Sequence, residues 1–221
     1  MDEFSEFLNA ALAGQLPGPC AQQRMTPRNR DGSVRTFIPP PTARQSAVAV
    51  VITWTPRPAV LLTLRSANLR HHRGQISFPG GRIEHGESPV DAAMRELREE
   101  VAISPSDVRL LGTLSKLYTP PSNSAIVPVV MEAEQMLTCV PDPVEVEEWF
   151  WVQLDQLLGT AVEEEWELPY GCMIVPHWRI HPRVPLWGAT AMILSELLEL
   201  YEGWLSKRAT LQAQASSDRH R

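Results

Sequence analysis

The stretch SPVDAAMRELREEVAI, residues 88 to 103, reads as the clearest helix of the chain, and what it carries decides the fold. Ser88 is placed to cap it, Pro89 suits the first helical position, and Asp91 completes a capping-box pattern, which predicts a helix over 89–101. Val90, Met94, Leu97 and Val101 recur at the helical period as one apolar stripe, so the helix is expected to pack on a sheet. Its other side is charged. Asp91 to Arg95 and Arg95 to Glu99 are opposite charges four residues apart, the ordinary lacing of a solvated face. Glu96, Glu99 and Glu100 nevertheless fall within an arc of roughly 100°. Glu96 and Glu100 are like charges at that same spacing, which costs on the order of 0.3 kcal/mol. Three carboxylates converging on one side suit Mg²⁺ or Mn²⁺, which bridge carboxylates and substrate phosphates. FPGG, residues 78 to 81, precedes the helix, and its glycines let backbone approach a ligand closely.

Around this helix the chain alternates strands and turns. AVAVVITW, from Ala47, and AVLLTLRS, from Ala59, are buried-strand patterns, and QISF (75–78) is a shorter one. VRLLGTLSKLY and AIVPVVMEA follow as strands joined by PPSNS, and WFWVQLDQLL reads as a strand entering a short helix. WELPYGCMIVPHWRI predicts a hairpin turning at Gly171, and residues 188–205 a long last helix. Few long helices among many strands imply an α/β sandwich over a mixed sheet. Phe4, Phe7, Leu8, Ala11 and Leu12 predict a short amphipathic helix near the N-terminus. Residues 14–45, rich in Pro, Gly, Arg and Gln, read as a linker or a loosely packed arm, and the polar end as a frayed tail. The expected division is 1–45 arm, 46–208 catalytic domain and 209–221 flexible tail.

A net charge of −6 argues against a general nucleic-acid binder, which would be basic. The acidic N-terminus does not have the pattern of a signal peptide, and no apolar run approaches a membrane span. Cys20, Cys139 and Cys172 are scattered and odd in number, which suits a reducing cytoplasm. No nucleic-acid or membrane partner is expected, and a homodimer is left open.

Gly81, five residues, Glu87, seven residues, then Arg95-Glu96-Leu97-x-Glu99-Glu100 and Ile103 resemble the Nudix box, G-x5-E-x7-REUxEExGU with U aliphatic. One position departs: Ala102 stands where the box has glycine. Upstream, LLTLRSANLRHHRGQISFPGG, residues 61 to 81, is similar to the signature LLTxR[SA]x3Rx3Gx3FPGG of the coenzyme A diphosphatase subfamily. LWGATA (186–191) and DPVEVEEWFWVQLDQLL (142–158) are similar to downstream segments of that subfamily, so the resemblance covers roughly residues 46 to 205. It departs again at Ser122-Asn123-Ser124, where the subfamily has Ser-Gly and an aromatic.

The resemblance implies the Nudix α/β/α sandwich with a mixed central sheet, and a metal-dependent hydrolase of the pyrophosphate in coenzyme A or its thioesters. It implies Glu96, Glu99 and Glu100 as ligands of Mg²⁺ or Mn²⁺, with the Gly80 carbonyl as a further ligand. Glu96 or a downstream glutamate (Glu145, Glu147 or Glu148) would activate the attacking water. Arg95 is expected to pair with Glu87 and fix the turn against the helix, so that Glu96, Glu99 and Arg95 form the catalytic set. Arg65, Arg70, Arg73 and Arg82, with His71 and His72, make the preceding segment basic and suit the phosphates of the substrate. Imidazole is not the preferred Mg²⁺ ligand, so the two histidines read as surface or substrate-side groups. The tryptophans at 149, 151, 166, 178, 187 and 204 read mainly as core or interface; one is available to stack on adenine, and the sequence does not choose which. The alternatives are the same chemistry on NADH or ADP-ribose, or a non-catalytic sensor on this fold. At Ala102 either the helix exits differently or the chain tolerates a strained left-handed residue.

Overall fold

The structure is a computed structural model that describes residues 3–34, 38–54, 56–69 and 72–218, the last four as backbone only. Alternation within the first long strand, β1 (Arg44–Thr53), sets up two cores. Ala47, Ala49 and Val51 face one side, while Val48, Val50 and Ile52 face the other, as a period of two requires. Beside β1 run β2 (Ala59–Arg65), antiparallel to it, and β7 (Ser124–Glu132), parallel to it over nine pairs from Arg44↔Ser124 to Ile52↔Glu132. The sheet is completed by β3 (Ile76–Ser77), β4 (Gly80–Arg82), β5 (Arg109–Thr113), β6 (Leu117–Thr119) and β8 (Val146–Gln153), all antiparallel to their neighbours. Among the described residues it has eight strands in the order β3-β2-β1-β7-β5, with β8 along β2, β4 along β1 and β6 along β7. The sheet is therefore mixed, as expected. A separate hairpin joins β9 (Val162–Leu168) to β10 (Gly171–His177). It turns on Pro169 and Tyr170, because Gly171 already pairs with Leu168.

One face of the sheet carries α3 (Pro89–Val101), bounded as its sequence pattern requires. Asp91 N–H donates to Ser88 Oγ (3.2 Å) and Ser88 N–H to Asp91 Oδ2 (3.4 Å), the reciprocal capping box. The buried face differs from the expected stripe. Ala92, Ala93, Leu97, Glu100 and Val101 are buried, whereas Val90 and Met94 only flank the contact. Ala92 and Ala93 share one buried cluster with Ala47 and Ala49, small side chains that leave little bulk between helix and strand. Glu100 lies on this buried side.

The opposite face is covered by α1 (Glu3–Leu12) and α4 (Gly188–Asp218). Phe4 and Leu8 of α1 are fully buried, with the Phe4 ring 4.4 Å from Trp54 and 4.9 Å from Trp204. The loosely packed arm expected over 14–45 is docked at its centre. There α2 (Pro19–Gln23) buries Ala21 and Gln22, and Met25 and Thr26 follow them into the core. Its anchor is the buried Glu196 of α4, which accepts from Gln22 Nε2 (2.9 Å), Gly18 N–H (3.1 Å) and Ser115 N–H (3.3 Å). Proline- and glycine-rich composition signalled irregular backbone here, but irregular backbone packs well when its polar groups find partners. The last helix continues past residue 205 to Asp218, and residues 206–214 are exposed, clear of the core. Among the described residues no helix is long and apolar enough to cross a membrane.

Ala102 resolves the alternative left by the sequence: it ends α3 in the left-handed region, φ 57° and ψ 28°, its N–H bonded to Arg98 O at 3.0 Å. An alanine pays about 1 kcal/mol for that conformation. Ala102→Gly is therefore expected to raise the melting temperature by about 2–4 °C, read by a thermal unfolding scan. A fall would show that the exit is unstrained. Asn123 takes a left-handed turn as well (φ 47°), with its Nδ2 donating to Thr42 O (3.3 Å), a conformation that asparagine tolerates better than most residues.

Candidate active site

Gly80 and Gly81 enter the sheet where no side chain fits. A Cβ on Gly80 would lie 2.5 Å from Ala47 O, and one on Gly81 would lie 2.3 Å from Glu96 Oε1. The first glycine lets β4 lie against β1, and the second leaves room for the Glu96 carboxylate. The glycine turn and the acidic helix are thus two halves of one site.

Arg95 organises its outer side. Its Nε donates to Glu87 Oε1 (2.9 Å), Nη2 to Glu87 Oε2 (3.2 Å) and to Arg82 O (3.0 Å). Its Nη1 donates to Glu96 Oε1 (2.7 Å) and Glu99 Oε2 (3.1 Å). The expected Arg95–Glu87 pair is present, and the planar fork also gathers two further glutamates. The bond from Arg95 holds the Glu87 carboxyl below its ordinary range. Glu96 goes the other way, because burial raises it more than Arg95 lowers it.

Glu100 is the inner group, with its side chain only 2% exposed. Its Oε1 faces Arg65 Nη1 (3.4 Å) and Gly80 N–H (3.4 Å), while Oε2 is buried without a hydrogen-bond partner. Desolvation raises its pKa to about 7, against the lowering influence of Arg65 and Gly80 N–H. Glu99 is the outermost of the three, with its side chain 53% exposed. Among the described residues no three carboxylate, imidazole or thiol groups are arranged as a ready-made metal cage. The donor set nevertheless fits a hard divalent cation: a carboxylate oxygen of Glu100 stands buried and unpartnered, and the largely buried Glu96 carboxylate lies at the same glycine-lined wall. Glu100 above all is costly to keep ionised, since it is desolvated and Arg65 comes no nearer than 3.4 Å.

The other sequence-derived groups separate. Arg65 lies within the site, facing Glu100 and, at 4.0 Å, Glu145. Arg73 and Arg82 are exposed, and the Arg82 carbonyl serves Arg95. Arg70 and His71 lie outside the described residues. His72 bonds Gln75 Oε1 through Nδ1 (2.9 Å). Of the downstream acids, Glu145 faces the site. Glu147 bonds Arg183 (2.7 Å) and Glu148 bonds His181 (2.9 Å), beyond the edge strand β8.

The backbone tether that places Glu145 had no clear signal in the sequence. The segment before β8 is tied to the end of α3: Val140 N–H donates to Val101 O (3.1 Å) and Asp142 N–H to Glu100 O (2.9 Å). Those carbonyls are orphaned where a helix ends, and the exit at Ala102 leaves them to this segment. Asp142 also closes a local turn by accepting from Val144 N–H (2.9 Å), and Glu145 O accepts from Ser66 N–H (2.8 Å). Glu145 is thereby fixed between the helix end and β2. The hints in the sequence were Asp142-Pro143, a turn pair, and the resemblance over residues 142–158, which put Glu145 among the candidate bases.

Comparison with known proteins agrees with this architecture. Residues 43–170 match the family model described as the NUDIX domain. An uncharacterized Nudix hydrolase, NudL, of Pectobacterium atrosepticum is 42% identical over 163 residues, covering 70% of this chain and 81% of that relative. Nudix hydrolase 3 of Caenorhabditis elegans is 28% identical over 172 residues, covering 70% and 72%. The crystal structure of RenU, a Nudix hydrolase from M. Smegmatis, superposes with a TM-score of 0.53 at 19% identity, covering 80% of this chain and 94% of that one, which shows the shared fold. With more than half of the chain inside the family model and the box residues gathered at one glycine-lined wall, the chain belongs to the Nudix family, as a pyrophosphohydrolase of a class that works with divalent metal ions.

Proposed function

We propose that the protein hydrolyses the pyrophosphate bond of coenzyme A or its thioesters, releasing 3′,5′-ADP and 4′-phosphopantetheine or its acylated form. The observation that carries the chemistry is the buried, unpartnered Glu100 oxygen beside Glu96 under Gly80–Gly81. In this reading Glu96, Glu99 and Glu100, with the Gly80 carbonyl, hold Mg²⁺ or Mn²⁺. When bound, such cations neutralise the pyrophosphate oxygens and lower the pKa of an attacking water. Arg95 keeps Glu96 and Glu99 oriented through its bonds to Glu87 and Arg82 O. Arg65 balances the charge of Glu100 and turns towards the substrate phosphates. Glu145, held in place by its backbone and only part-paired with Arg65, takes the proton from the attacking water. Arg70, Arg73 and Arg82 are assigned to the substrate phosphates, and residues 46–208 to the catalytic unit. The setting is the cytoplasm.

Support for coenzyme A comes from residues 61–81, which follow the diphosphatase signature at each of its fixed positions. Ser122-Asn123-Ser124, lacking the aromatic of that subfamily, favours as second reading another nucleoside diphosphate derivative such as NADH or ADP-ribose. The test is incubation with coenzyme A, acetyl-coenzyme A, NADH, ADP-ribose and nucleoside triphosphates, with and without Mg²⁺, followed by product identification. Metal-dependent release of 3′,5′-ADP is expected. Turnover of NADH or ADP-ribose with coenzyme A inert would overturn the substrate, and no turnover of any would overturn the enzyme.

A further inference from the structure

Beyond the edge strand β8, a solvent-open hollow of about 450 Å³ lies between the β9–β10 hairpin and the segment that leads into α4. Its size is within the range of small-molecule sites, roughly 300–1,000 Å³. The catalytic residues do not line it. Its walls are aromatic and charged: Trp166, His177 and His181, with Arg179, Arg183 and Glu164. Trp166 is half-buried and braced by the His177 ring at 4.9 Å and, edge-on, by Trp187 at 5.4 Å. His181 is held over the Phe150 ring at 5.5 Å and bonded to Glu148 at 2.9 Å. Rings fixed in this way form a rigid platform before any ligand arrives.

The charges narrow the ligand. Arg179 is paired with Glu164, and Arg183 with both Glu147 and Glu148. Two guanidinium groups facing three carboxylates leave the hollow with no surplus of positive charge. A phosphate gains little there. A neutral heteroaromatic ring gains a stacking face, and hydroxyl or amino groups on it find carboxylate acceptors at the rim. Position supplies the second constraint. Arg183 grips Glu147 and Glu148 at the start of the same strand whose preceding residue, Glu145, faces the pyrophosphate site. Three residues of strand, about 10 Å, separate Glu145 from Glu148, so the rim of the hollow and the pyrophosphate site share the start of β8.

We propose that this hollow binds the nucleobase and ribose of the substrate, with Trp166 as the stacking platform. The proposal rests on the reading of the chain as a hydrolase of a nucleotide pyrophosphate, and it selects one tryptophan for the adenine. Phosphates stay on the other side of β8, with the carboxylate-bound cation and Arg65.

The test pairs binding with kinetics. Adenosine is titrated into the metal-free wild type and into Trp166→Ala and Trp166→Phe, followed by saturation-transfer NMR. KM and kcat are measured for coenzyme A and ADP-ribose, with circular dichroism and melting curves as controls of folding. Adenosine contact is expected in the wild type and in Trp166→Phe and lost in Trp166→Ala, whose KM should rise about tenfold or more at little-changed kcat. Should Trp166→Ala fail to fold, Trp166→Leu, which keeps apolar bulk without a stacking face, takes its place, with the same loss of adenosine contact expected. Undiminished adenosine contact in the folded variant, or an unchanged KM, overturns the hollow as base site while leaving the hydrolase intact. If coenzyme A is inert and ADP-ribose is cleaved, the substrate assignment fails and the hollow is judged on ADP-ribose. If nothing is cleaved, the adenosine titration alone decides.

Discussion

Glu100→Gln should cripple turnover and at the same time make the metal-free protein more stable at pH 8. The two effects have one cause. The side chain is 2% exposed, with one oxygen unpartnered, and desolvation raises its pKa from 4.5 to about 7. A carboxyl whose pKa is higher folded than unfolded binds its proton more tightly in the folded state. Its contribution to stability therefore declines as pH rises from about 4.5 to about 7, and the full penalty remains above that window. The penalty is on the order of 3 kcal/mol. Glutamine has nearly the same shape and never ionises, so at pH 8 without metal the variant should melt several degrees above the wild type. At pH 4.5 the two should coincide. Added Mg²⁺ should stabilise the wild type and not the variant, since ligand binding to the folded state raises stability by mass action. Turnover should fall by roughly 10³-fold or more, because metal stabilisation of the reacting phosphoryl oxygens is worth several kcal/mol. Melting curves across pH, with and without Mg²⁺, and single-substrate kinetics check all of this. A variant less stable than wild type at pH 8, or near-normal in turnover, would mean that Glu100 is a packing residue.

The features legible in the sequence were those set by local chemistry. Ser88, Pro89 and Asp91 fixed the start of α3 because a capping box is a contact between residues three apart. The box spacing brought Glu87, Arg95 and Glu96 together because turn and helix bring those positions to one side. Illegible features depended on contacts distant in sequence. The partner of Gln22 is Glu196, far along the chain, and nothing in the composition of either segment announces the other. The depth of Glu100 is set with Arg65 and Gly80, distant in sequence, as well as by its own helix. A helical wheel sees only Val90, Met94, Leu97 and Val101 and so turns the buried face away from Glu100. The same limit separated Glu145 from Glu147 and Glu148. All three are acids within four residues, and only the tether of Asp142 to the helix end and the grip of Arg183 beyond β8 give them different work.

Arg95 invites the second large effect, and lysine is the sharper replacement. The guanidinium bonds Glu87 through two nitrogens, reaches Arg82 O with one of them, and joins Glu96 and Glu99 with the third. A lysine keeps the charge, but an ammonium on a flexible stem cannot span these directions at once. Its charge still offsets part of the repulsion among the glutamates, so Arg95→Lys should fold, with a loss of about 1–2 kcal/mol in urea unfolding. Arg95→Ala removes the charge from between Glu87 and Glu96, whose side chains are 14% and 13% exposed, and should cost about 2–4 kcal/mol. The kinetic consequence should not follow this order of stability. Both variants release Glu96 from the position against Gly81, and a misplacement of about 1 Å in a reacting site costs on the order of 10²-fold. Both should therefore lose about that much in kcat, the lysine variant while still largely stable. If Arg95→Lys retained near-normal kcat, Arg95 would serve as a charge alone, and the fork that joins turn to helix would be incidental to catalysis.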